Sequence, residues 1–149
     1  MPFVPAVLNK RLSDLIVHEQ DPSVGANRRD INITPAAVQL GQVVFRAKSS
    51  DLTAPYAVLS AAAQLVDTNE FAIVIGDHYS FNPSFTPRAI AAGQFNAVAI
   101  VGNGNAIQLK EYLVKQVAQD AGGANLTDAQ FETLRGLLEA AGIQLLKTV

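Results

Sequence analysis

Phe71–Tyr79 (FAIVIGDHY) and Phe95–Leu109 (FNAVAIVGNGNAIQL) bracket the stretch that decides the fold. Each holds an apolar run too short for a long helix, rich in Ile, Val or Ala and bounded by Gly, Asn or Asp, which reads as a buried strand. A polar, proline-punctuated loop from Asp77 to Arg88 carries Tyr79, Phe81 and Phe85 between them. After the second run, Gly102-Asn103-Gly104-Asn105 tolerates positive φ throughout and predicts a hairpin into Ala106–Leu109. Strands of this kind hold a core; they do not by themselves display a site.

Working outward toward the C-terminus, Leu109, Leu113 and Val117 step by four, which favours a helix ending at Gly122-Gly123, although an extended reading of 106–117 also stays open. The next helix is better marked. Thr127 with Gln130 three residues on forms a capping box, Phe131, Leu134, Leu138 and Ala141 share one face, and Gly142 stands where a left-handed cap belongs, so a helix is predicted over 128–141. Residues 143–149 then return as a last strand.

Toward the N-terminus, strands are predicted at Asp30–Ile33, ended by Pro35, at Gln39–Ala47, and from Tyr56 to Leu59. The piece 60–66 is left open between helix and strand. Residues 1–30 read differently from the rest. Pro2 and Pro5 keep the start extended and 21–30 is loop-like, while Leu8, Leu12, Leu15 and Ile16 fall at helical spacing. A helix this short needs a surface to bury its apolar side, either on its own domain or on another chain. The expected fold class is therefore mainly β with minor α (α+β): an N-terminal arm over 1–30, then a single barrel-like β-rich domain over 31–149 closed by a helix–strand unit.

Composition narrows the function. The chain has 149 residues, enough for one domain with a real core. Only 16% of residues are charged and the net charge is −2, so there is no basic footprint for a nucleic-acid backbone. Apolar runs fall short of the roughly 18–20 residues a membrane span needs. Cysteine is absent, which removes disulfides, thiolate metal ligands and thiol nucleophiles together. The first residues lack the basic and apolar regions of a secretion signal, so a cytoplasm, or a particle assembled there, is expected.

The best chemical constellation is Asp77-His78 at a strand end with Arg88 nearby in sequence, where a carboxylate could orient a general base. It has no nucleophile motif, and adjacent strand residues point to opposite faces, so a loop histidine beside a turn aspartate is the plainer reading. His18, Glu19 and Asp21 lack metal-ligand spacing. The glycine pairs read as turns, since neither has the residues of a phosphate loop. Tyr79, Phe81 and Phe85 have no interleaved basic residues, which fits a protein contact or burial over the core better than base stacking.

Three segments carry a resemblance: Leu12–Glu19, followed after a loop by Arg28–Ile33; Leu40-Gly41-Gln42-Val43-Val44; and Leu134–Ile143. Together they are similar to the lambda-type head decoration, or capsid cement, proteins of tailed bacteriophages. In that family a Leu-Gly-x-Val step leads into the β body and a short helix, Gly-Ile and a terminal strand end it. The loop 77–95 and the stretch 110–127 match nothing in the family pattern. The resemblance implies a small β-tulip, homotrimers on the outside of an expanded icosahedral shell in the virion, the major capsid protein as partner, and no enzyme activity or cofactor. It also gives the arm a purpose, with Phe3, Val4, Leu8, Leu12, Leu15 and Ile16 as expected capsid-facing anchors. The rival expectation is a small β-barrel hydrolase or ligand-binding domain using Asp77, His78 and Arg88. A major capsid or tail-tube subunit fits the chain less well.

Overall fold

The computed structural model describes residues 15–18, 28–77, 88–89, 96–102, 107–120 and 123–147. Among them the order is β1 (Ile16–His18), β2 (Arg28–Ile31), β3 (Ala37–Val38), β4 (Val43–Ala47), β5 (Ala57–Val58), β6 (Asn69–Asp77), β7 (Arg88–Ala89), β8 (Ala97–Val101), β9 (Ile107–Lys110), α1 (Glu111–Gln119), α2 (Asp128–Ala140) and β10 (Ile143–Leu146). Strands dominate, and the class is α+β.

The expected strand pair at the centre is present. β6 lies in the middle of a five-stranded sheet ordered β2-β8-β6-β4-β5, antiparallel to both β4 and β8. Its unbroken apolar run has a physical cause: both faces are covered. Phe71, Ile73 and Ile75 join a larger core with Val43, Ile100, both helices and the second sheet, while Ala72 and Val74 join a smaller one with Ile31, Ile33, Val38, Tyr56, Ala97 and Ala99. Each large aliphatic side chain buried this way stabilises the fold by about 1.5–3 kcal/mol. The smaller core takes Val44, Ala72, Val74, Ala97, Ala99 and Val101 from the sheet.

The second sheet has three strands, β1-β9-β10, with β1 antiparallel and β10 parallel to β9. β3 and β7 form a separate two-stranded pair. The sheets are not closed into a barrel, which corrects the barrel-like expectation. The predicted hairpin through Gly102–Asn105 is also overturned: β8 already has β2 and β6 as neighbours, so β9 has no free edge there and pairs in the other sheet. Gly102 serves close approach instead, because a side chain on it would run into the backbone of Ala141 at the end of α2.

Other elements are shorter than expected or newly resolved. Residues 39–42 form a turn, closed by Gln42 N–H to the Gln39 carbonyl at 3.0 Å, with Gly41 at φ +88°, and β4 starts only at Val43. The ambiguous piece 60–66 contains a single 3-10 turn at Ala62–Gln64, held by the Gln64 side chain accepting from Ser60 N–H at 2.8 Å. α1 and α2 fall where their periodicity puts them. α2 has the predicted capping box, Thr127 accepting from Gln130 N–H at 3.3 Å and Gln130 accepting from Thr127 N–H at 2.9 Å.

At the N-terminal side the body begins earlier than residue 31. Leu15 is fully buried in the larger core, Ile16 packs against it, and β2 is already paired with β8 from Arg28. The helical spacing read at Leu15 and Ile16 gives way to a strand because β9 offers an edge to pair with.

Candidate functional site

The anchors predicted from sequence divide at Leu15. Phe3, Val4, Leu8 and Leu12 lie outside the described residues. Leu15 is fully buried, which corrects its assignment as a capsid-facing anchor, and Ile16 is half-buried against the same core. β1 is the outermost strand of its sheet, with the Leu15 carbonyl accepting from Lys110 N–H at 2.7 Å and Ile16 opposite Leu109. Its register shifts between Ile16 and His18, and Val17, at the shift, is 44% exposed. Among the described residues the chain thus joins the body through a strand paired on one edge, to β9, with no partner strand on the other, a place where another backbone can add.

The catalytic alternative is not assembled by strand pairing. Asp77 ends β6 opposite Ala97, whereas Arg88 lies on β7 opposite Val38 in a different sheet. His78, Tyr79, Phe81 and Phe85 lie outside the described residues, as do Glu19 and Asp21. Among the described residues no group of three or more His, Cys, Asp or Glu could hold a metal ion, and no helix is long and apolar enough to cross a membrane.

Two charge centres that sequence reasoning passed over are prominent. Arg46, 7% exposed on β4, pairs with Glu70 on β6, and its Nη1 donates to the carbonyls of Asp51 at 3.1 Å and Ala54 at 2.7 Å. Its guanidinium lies 4.4 Å from the centre of the Tyr56 ring. Burial, then the Glu70 charge, pushes the Tyr56 phenol above its ordinary range. At the other centre, Arg135 of α2 pairs with the buried Glu111 of α1 and donates to the Leu145 carbonyl of β10 at 3.0 Å, joining three elements. The signal for the first was available: an arginine inside the apolar run Val43–Ala47 is unusual unless it has partners.

Among the described residues, an open cleft of about 570 Å³ lies between Lys48, Asp67 and Phe71 and the end of α2 at Leu137 and Ala141. Another, of about 330 Å³, is lined by Tyr112, Lys115 and Lys147 with Glu111 and Glu132. The charged groups around both are committed in part to the two centres just described, through Glu70 and Glu111.

Set against known proteins, the chain has no match among family models, curated proteins or solved structures.

Proposed function

We propose that this protein is a capsid decoration protein, a non-enzymatic cement that attaches to the outside of an expanded phage head and ties neighbouring capsomers together. One observation carries the reading beyond the sequence resemblance: the chain enters its body along an edge strand, with Leu15 anchored in the core and β1 running antiparallel to β9. A tether attached ahead of Leu15 is held to the body by this buried leucine and by the pairing of β1 with β9. In this reading residues 1–14 are the capsid-binding arm, Phe3, Val4, Leu8 and Leu12 are its anchors on the major capsid protein, and the body has a tulip-like form and sits as a homotrimer on the virion surface. Arm and body engaged together give each subunit the gain of multivalent attachment.

The test is co-sedimentation with isolated heads that lack the protein, using the full chain and a chain starting at residue 15. Saturable binding of the full chain to expanded heads but not to proheads, lost on truncation, is the expected result. Absence of binding to either particle would overturn the decoration reading, and unchanged binding of the truncated chain would overturn the arm assignment alone.

A further inference from the structure

We propose that Arg135 seals the outer edge of β10 against strand pairing with a second copy of this chain, so that the sheet β1-β9-β10 takes an added strand only at β1. The inference stands apart from the decoration reading, since it concerns which edges of the body are open and not what the body binds.

Among the described residues β10 pairs with β9 alone, in parallel, and is an outer strand of its sheet. One bond fixes which of its backbone groups point where. The Gly142 carbonyl accepts from Ile107 N–H at 3.1 Å, so Gly142, Gln144 and Leu146 turn their backbone groups toward β9, while Ile143 and Leu145 turn theirs outward. The outward Leu145 carbonyl is already taken: Arg135 of α2 donates to it from Nη1 at 3.0 Å. The Glu111 carboxylate at Nη2 and Glu132, 3.1 Å from Nε, hold the guanidinium in that direction, and the arginine side chain is only 13% exposed.

Bare strand edges invite pairing between like chains, and charged side chains are a common guard against it. A second copy presents the same short edge, Ile143-Gln144-Leu145-Leu146, and two such edges can pair antiparallel about a two-fold axis. To reach the Leu145 carbonyl, the incoming strand has to push the guanidinium off Glu111, which leaves a buried carboxylate without its counter-charge. β5, an outer strand of the other sheet, is covered by backbone instead. Beside it Tyr56 N–H donates to the Asn32 carbonyl and the Tyr56 carbonyl accepts from Thr34 N–H, both at 2.8 Å.

The experiment removes the charge pair as a unit, Glu111→Gln with Arg135→Met in the full-length chain, so that no lone carboxylate is left inside. Arg135→Lys is made alongside, because it keeps the charge near Glu111 but loses the fixed second donor toward Leu145. Sedimentation over a range of concentrations and amide hydrogen exchange are read for both against the parent. The paired variant should form a reversible species of about twice the parent's mass, with exchange of the Ile143 and Leu145 amides slowed about tenfold or more on association. Arg135→Lys should do the same at higher concentration. A folded paired variant that sediments as the parent does overturns the seal. Association that leaves these two amides exchanging as in the parent also overturns it, since the contact then lies elsewhere. If the paired variant does not fold, Arg135→Lys decides by the same two readings.

Discussion

Asn96, 6% exposed, places both ends of its amide against one distant residue: Oδ1 accepts from Ile33 N–H at 2.8 Å and Nδ2 donates to the Ile33 carbonyl at 2.9 Å. On its other side the same segment is bridged to Tyr56, with Thr34 N–H to the Tyr56 carbonyl at 2.8 Å. A side chain therefore stands in for a missing strand. Asn96→Ala leaves two buried backbone groups without that partner, at about 1–3 kcal/mol for each, and chemical denaturation should register the loss. Nothing near Asn96 in sequence announces this, because its partner is 63 positions away. Titration is a second matter at this scale. Hydrogen bonds from the Thr53 side chain and backbone hold the Asp51 carboxyl below its ordinary 3.8, and Gln119 with Lys115 does the same for Asp128. Groups with a lowered folded value contribute stability that is present above the ordinary value and is lost as pH falls through the folded one. Melting temperature should drop on the acid side below about pH 4, and Asp51→Asn should make that limb shallower. Tyr56 runs the opposite way: its raised value supplies stability present below the ordinary tyrosine range and lost above it.

At the scale of elements, α2 was legible because its signals are local. Thr127 and Gln130 cap it, Phe131, Leu134 and Leu138 face the core, and Gly142 ends it at φ +94°, all within one stretch of chain. β6 was legible for a related reason, since an apolar run without alternation fits only a strand covered on both faces. The turn Gly102–Asn105 was misread because turn chemistry is local while strand pairing is not. Gly102, which suits a hairpin, also suits a close approach to the backbone of Ala141. Gly136 gives this scale its prediction. It lies in the interior of α2 with open space where a side chain would be, so Gly136→Ala meets no clash and should stabilise the protein by about 0.5–1 kcal/mol, seen as a higher melting temperature. The burial of Arg46 could be suspected from its apolar neighbours but its partner Glu70, 24 positions away, could not, and Arg135 has Glu132 and Glu139 at helical spacing yet reaches Glu111 and Leu145 only through the fold.

Across the whole molecule, the N-terminal boundary is the point where sequence and structure part, and it sets the last prediction. Composition over residues 1–30 suggested a segment apart from the body, yet Leu15 is fully buried among Leu109, Leu113 and the other residues of the larger core. The apolar spacing of Leu12, Leu15 and Ile16 fits a helix face as readily as an edge strand, and only the availability of β9 decides between them. Two truncations separate the arm from the body. A chain beginning at residue 15 keeps Leu15 and β1, so its unfolding should match that of the full chain. A chain beginning at residue 21 loses a buried leucine and a strand, so it should unfold at least as easily as a Leu15→Ala variant, which itself should lose about 2–5 kcal/mol. Denaturation of the three proteins against the full chain checks the boundary without any capsid present. If the chain starting at residue 21 were as stable as the full chain, β1 would not be part of the stable body. Edge-strand attachment would then lose its physical basis.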